Sequence, residues 1–257
     1  DKLKLLTINT EHNIMNIQLS KTEIAIANSK TVFGATVKSV SDGLGKTEKI
    51  IKTSTNKKLG KKVTKGKYKG FPIFTVTLQE RATCPTDCIH WSNCYGNNMP
   101  FATRYTVDKQ AIELMESELT ELQRKYPNGF LVRLHILGDF FSLAYVEQWN
   151  KWLRQFNALH VYGYTANLPN SKVTLYRKIA NAIIDIRNEY KERFAVRFSG
   201  YNDSDKMTAL SYDDEIAVKM VQDKKAFICP VQENKTDSCG TCTACWASFK
   251  PVVFITH

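Results

Sequence analysis

The sequence predicts an α/β fold: a partial (β/α)6 barrel of six strand–helix units behind an N-terminal appendage with a strand of its own. Three observations lead there. Runs rich in β-branched and aromatic residues recur from residue 71 to the end. Amphipathic stretches of helical spacing separate the early runs, and Pro, Gly and Asn punctuate the joins. Alternation of this kind marks parallel strands joined by crossover helices. At 257 residues, 43% of them apolar, the chain can bury a full core.

TVFGATVKSV (31–40) reads as the appendage strand, and residues 1–70 are expected to stand apart from a 71–257 barrel. FPIFTVTL (71–78) is the first barrel strand. A cysteine-bearing loop follows, then a helix over 106–126. There Val107, Ile112, Met115, Leu119 and Leu122 recur at helical spacing, Thr106 supplies a cap and Pro127-Asn128-Gly129 the stop. FLVRLHI (130–136) is the second strand, and Ser142 caps a helix carrying Trp149, Trp152, Leu153 and Phe156. HVYGYT (160–165) is the third, and Ser171 opens a helix through Val173, Ile179, Ile183 and Ile186. FAVRFS (194–199) is the fourth, with helical segments expected across 204–223. AFICP (226–230) and VVFIT (252–256) close the set.

All seven cysteines fall in two groups, Cys84/Cys88/Cys94 and Cys229/Cys239/Cys242/Cys245. Their neighbours are Pro, Thr, Asp, Asn and Gly, not the apolar company of core cysteines. No run of about 18 apolar residues could span a membrane, and DKLKLLTINTEHN at the start is too polar for a secretory signal. The cytosol is therefore the expected compartment. There thiols stay reduced, so metal ligation is expected over disulfides. The second group, C-x9-C-x2-C-x2-C, suits structural Zn²⁺ or a fully ligated iron–sulfur cluster, with His257 as a substitute ligand.

Charge points to a polyanion. The net charge is +11, and residues 46–70 alone hold ten Lys against one Glu. This stretch reads as a mobile arm or long hairpin. Lys57, Lys58, Lys61, Lys62 and Lys65 are its candidate phosphate contacts, joined by Arg104, Arg133 and Arg197 from the barrel. The alternative is a solvated, solubilising loop.

In parallel α/β folds chemistry gathers at the carboxyl ends of the strands. The first cysteine group follows strand one, and strand two ends at His135, Gly138 and Asp139. Tyr164 ends strand three, Ser199 strand four, Cys229 strand five and His257 strand six. His135 and Asp139 are the catalytic candidates. Taken singly, His135 could be a core histidine and Asp139 a helix cap.

Six such units with cysteines after the first strand resemble the partial TIM-like barrel of radical S-adenosylmethionine enzymes. That resemblance implies a 4Fe–4S cluster on Cys84, Cys88 and Cys94. It also implies S-adenosylmethionine near Gly138, Asp139, Tyr164 and Ser199. The spacing departs from it: C-x3-C-x5-C stands where that superfamily carries C-x3-C-x2-C. Over roughly 80–257 the chain also resembles the gene-product-88 family of phages and actinobacteria. Cys94-Tyr95, Gly138-Asp139-Phe140, Tyr164-Thr165 and the closing CPVQ…CGTCTACW…FITH carry that likeness. Three functions are ranked in order. First is an iron–sulfur enzyme modifying a nucleic-acid base, with DNA expected over RNA. Second is a zinc enzyme similar to the guanine transglycosylases that insert 7-deazaguanines, with Cys239, Cys242, Cys245 and His257 as a loose zinc match. Third is a zinc-stabilised nucleic-acid-binding protein without catalysis.

Overall fold

The computed structural model describes residues 36–43, 48–91, 94–200 and 206–255. Its strands are β1 (Val37–Lys38), β2 (Lys52–Thr53), β3 (Ile73–Thr75), β4 (Arg104–Tyr105), β5 (Phe130–Leu134), β6 (Leu159–Thr165), β7 (Phe194–Ser199), β8 (Thr208–Ser211), β9 (Phe227–Ile228) and β10 (Val252–Phe254). The helices are α1 (Glu80–Thr83), α2 (Lys109–Lys125), α3 (Leu143–Gln155), α4 (Thr174–Glu189), α5 (Glu215–Gln222), α6 (Cys239–Cys242) and α7 (Ala244–Ala247). β1 pairs with β4 in a small parallel sheet. The main sheet has eight strands in the order β2-β3-β5-β6-β7-β8-β10-β9. Every neighbouring pair in it is parallel except β2 with β3.

The central strands read as near-continuous apolar runs because both of their faces are covered. Phe130, Val132, Leu134, Val161, Val196 and Phe198 face the helices and pack with Met115, Trp149, Trp152 and Ile179. The alternate residues Ile73, Leu131, Tyr162 and Ala195 face the other way, onto Leu59, Val63, Tyr68 and Trp246. That second face is lined by the lysine-rich segment and the C-terminal cysteine loop.

Several expectations are corrected. The stretch 204–223 contains β8 before α5, so a strand stands where helix was expected. β10 lies between β8 and β9 instead of following β9 at the edge. Its Val252 and Val253 are fully buried whereas Phe227 and Ile228 are half-buried, so the more apolar strand takes the inner position. Helix α2 begins at Lys109. Its cap is Asp108, whose Oδ1 accepts from Ala111 N–H at 2.7 Å, and not Thr106. Ser171 precedes α4 without capping it directly. Its hydroxyl accepts from Val173 N–H (3.1 Å) and donates to Asp87 (2.6 Å), tying the helix start to the first cysteine loop.

The lysine-rich stretch is part of the main body. Ile50, Ile51, Leu59, Val63 and Tyr68 are buried, and β2 belongs to the main sheet. Glu118 of α2 accepts the N–H groups of Ile50 (2.9 Å) and Ile51 (2.8 Å), and its burial pushes the carboxyl up to about 7. Lys46 and Thr47, like residues 31–35 of the expected appendage strand, lie outside the described residues. No helix among the described residues is long and apolar enough to cross a membrane.

Candidate metal centre at the strand ends

The chain leaves β3 for α1, whose C-cap is Cys84. Cys88 lies in the turn that follows. Cys94 caps a 3-10 turn over Tyr95–Asn98, its Sγ accepting from Gly96 N–H at 3.4 Å. One buried side chain organises this loop. Arg104 pairs with Glu80 through Nε–Oε2 (2.9 Å) and Nη2–Oε1 (3.1 Å), and donates to the carbonyls of Gly96 (3.2 Å), Met99 (2.9 Å) and Ala102 (2.7 Å). A guanidinium is suited to this because its donors fan out in a fixed plane. Arg104 is thus spent inside the fold and is withdrawn as a phosphate contact.

Burial raises the Cys84 thiol well above its ordinary range and Cys88 to about 11, with Asp139 and neighbouring cysteines adding to both. These two are neutral thiols until a cation offsets the burial. The carboxyl end of β5 supplies Asp139, which is buried. Its Oδ1 accepts from Phe140 N–H (2.6 Å), Thr165 Oγ1 (2.7 Å) and Asn167 Nδ2 (3.2 Å), and its Oδ2 from Ala166 N–H (2.6 Å). Burial pushes its carboxyl up to about 6 against the pull of those four donors. Asp139 therefore clamps the ends of β5 and β6 together. It is not the cap of α3, a place taken by Ser142 accepting from Tyr145 N–H at 3.2 Å. Gly138 sits at φ +85°, and a Cβ there would lie 2.6 Å from both Leu78 Cβ and Thr83 Oγ1, so close packing accounts for this glycine.

His135 does not reach the rim. It is buried against Phe140 and Tyr145, with Nε2 and Tyr145 Oη 3.0 Å apart, and burial followed by Arg133 lowers it to about 3. Its Nδ1 has no hydrogen-bond partner among the described residues. It is a neutral core histidine, and its catalytic assignment is withdrawn.

The second cysteine group lies on the other face of the sheet. Cys229 follows β9 and donates its N–H to Val253 at 2.8 Å. Cys239 and Cys242 bound α6, Thr243 turns the chain at φ 61°, and Cys245 falls in α7. Here too a buried arginine holds the loop. Arg197 donates to the carbonyls of Cys245 (2.9 Å), Lys250 (2.8 Å) and Ser248, so it is likewise withdrawn as a phosphate contact. Tyr164, proposed for cofactor binding, donates its hydroxyl to Cys245 Sγ at 3.0 Å. Burial pushes Cys239 up to about 12 and raises Cys242 and Cys245, while Arg197 pulls Cys245 partly back. Arg133 donates to the Leu134 and His135 carbonyls and stacks on Tyr164, 4.5 Å from its ring centre. Ser199 is half-buried at the end of β7. His257 lies outside the described residues, and among those described no three His, Cys, Asp or Glu side chains converge on one metal position.

The two groups meet at β6. Thr165 reaches Asp139, beside Cys84 and Cys88, while the preceding Tyr164 points to the opposite face and Cys245. Lys57, Lys58, Lys61, Lys62 and Lys65 are all exposed. Sequence reasoning missed Glu80, and gave Thr165 and Asn167, at the end of the third expected strand, no role of their own. Only the opposite charges of Glu80 and Arg104, bracketing the first cysteine loop, hinted at the clamp.

A family model described as Gene product 88 matches residues 49–248, which takes in both cysteine groups. No curated protein and no solved structure matches the chain.

Proposed function

The chain belongs to the gene product 88 family, and we propose that it is a metal-dependent enzyme that modifies a nucleic-acid base, DNA before RNA. The observation that carries this reading is the gathering of Cys84, Cys88 and Cys94 in one arginine-clamped loop at the carboxyl ends of parallel strands, with Asp139 beside Cys84 and Cys88. As donors the three thiols fit an iron–sulfur cluster by chemistry and by sharing one loop, although they are not drawn together around a common centre. Such a cluster would supply one-electron chemistry at the rim.

The chain's own residues do the rest. Tyr95 and Phe101, 57% and 98% exposed on the same loop, offer faces on which an unstacked base can lie. Asp139 ties the ends of β5 and β6 together beside Cys84 and Cys88. The packing of α2, α3 and α4 on one face of the sheet supports a partial-barrel reading, since a barrel keeps its crossover helices on the outside. S-adenosylmethionine is left out, because the carboxylate that would take its ammonium group already holds four donors. The same saturation makes Asp139 a positioning residue and not a catalytic one. Cys229, Cys239, Cys242 and Cys245 are assigned to structural Zn²⁺, as befits a group of which Cys229, Cys239 and Cys245 pack against the sheet.

Protein purified without oxygen should be brown and contain iron, acid-labile sulfide and zinc. Cys88→Ser should lose colour, iron and sulfide while keeping its zinc. Colourless parent protein holding zinc alone would overturn the iron–sulfur reading.

A further inference from the structure

We infer that the lysine-rich segment is an anchoring surface for a nucleic-acid backbone, set at the opposite end of the sheet from the cysteine rim and held in shape by the Cys239–Cys242 turn. This rests on the proposed nucleic-acid substrate but assigns it a second, remote point of contact.

The segment's position is fixed by its partners. Ile73, the first residue of β3, donates its N–H to Lys61 O, and Val63 donates to Phe71 O, both at 2.8 Å. Tyr68 Oη donates to Glu192 O at 2.8 Å, and Lys67 pairs with the Glu192 carboxylate at 2.6 Å, just before β7. The rings of Tyr68 and Phe71 lie 5.2 and 5.1 Å from that of His160, at the start of β6. All these contacts are at the amino ends of the strands, whereas Asp139 and the first cysteine loop are at the carboxyl ends. The seven residues of β6 separate the two, about 23 Å at 3.3 Å per residue. Duplex DNA would have to run about seven base pairs, at 3.4 Å each, to touch both.

The segment presents charge from a fixed backbone. Cys239 N–H donates to Lys58 O (2.8 Å), Gly240 N–H to Leu59 O (3.0 Å), and Thr64 N–H returns to Gly240 O (3.0 Å). Contact is so close that a Cβ on Gly240 would lie 2.4 Å from Lys62 O. Leu59 and Val63 are buried while Lys57, Lys58, Lys61, Lys62 and Lys65 are exposed, and none of the five has an ion-pair partner among the described residues. A row of unpaired lysines on a fixed backbone suits phosphates, which carry no base information.

The test measures binding of a labelled duplex of about 20 base pairs, long enough to span both ends, to the full chain across a salt series. With five phosphate contacts, log affinity should fall against log salt with a slope of about −4.5, roughly 500-fold between about 50 and about 200 mM. Replacing the five lysines with Gln should abolish most of that slope, and replacing them with Arg should preserve it. Gly240→Ala, which removes no charge, should weaken binding by displacing the segment. Phe101→Ala should leave the slope unchanged. If the five-Gln protein binds as tightly as the parent, the anchor is wrong while the rim reading stands. If the lysine effect appears although protein purified without oxygen holds no iron, the anchor stands and the iron–sulfur reading falls. If the parent does not bind DNA at low salt, both fall.

Discussion

The two cysteine loops use the same device to different ends. Each is an irregular segment gathered by one buried guanidinium that takes three loop carbonyls: Arg104 in the first, Arg197 in the second. The first guanidinium is also paired with a buried carboxylate, Glu80, and its loop pushes Ile89, Tyr95 and Phe101 outward. The second sits beside Cys245, whose thiol it partly lowers, and its loop turns Trp246 inward onto Tyr162 at 4.4 Å between ring centres. One loop leaves apolar side chains exposed at the surface. The other closes a face of the sheet. On the proposed reading, that difference distinguishes a loop for chemistry from a loop for structure more clearly than cysteine spacing does.

The largest expected effect breaks the first clamp. Arg104→Met strands a buried Glu80 carboxylate, and losing one partner of a buried pair costs about 3–5 kcal/mol. Arg197→Met orphans carbonyls at about 1–3 kcal/mol each, so denaturant unfolding should show it destabilised too, through loss of the second loop. Intact stability in either variant would undo the comparison.

Asp139→Asn comes next. Capping alone would leave it silent, since Asn caps as well as Asp. As a clamp it should lose about 1–3 kcal/mol, because an amide cannot accept from all four donors that now surround the carboxylate. Tyr164→Phe removes a single hydrogen bond to Cys245, worth about 0.5–1.5 kcal/mol, and should touch the second loop alone.

Glu118 provides a reference outside both loops. Its carboxyl is raised from 4.5 to about 7 by burial, so the folded state holds the proton more tightly than the unfolded chain. Its contribution is therefore complete below about pH 4.5 and is lost as pH rises through about 7. Glu118→Gln should flatten the fall in melting temperature across that window. An unchanged pH profile would remove Glu118 as the group responsible.

The sequence was legible where burial is two-sided and continuous. β5, β6, β7 and α3 lie where apolar runs and Ser142 put them. β8 escaped because Thr208–Ser211 is too short to show a period. The insertion of β10 depends on which strand gains more by burial, a competition that local pattern does not record. Of the site, the cysteine groups and Asp139 stood out by chemistry. The roles of Arg104 and Arg197 did not, because a charged residue in sequence looks the same whether it faces solvent or binds carbonyls in the interior. The lysine segment misled for the opposite reason. Its buried residues are irregularly spaced among lysines and divide between two cores, Ile50 and Ile51 joining the helix side and Leu59, Val63 and Tyr68 the other face.

The central claim, that one cysteine loop serves chemistry and the other structure, is tested most directly by metal content and melting temperature measured side by side in Cys88→Ser and Cys242→Ser. Cys88→Ser should lose iron and sulfide and still melt near the parent. Cys242→Ser should lose zinc and much of its stability, because a closed four-cysteine site contributes folding energy directly. Equal unfolding of both variants, or a zinc site lost with Cys88, would contradict it.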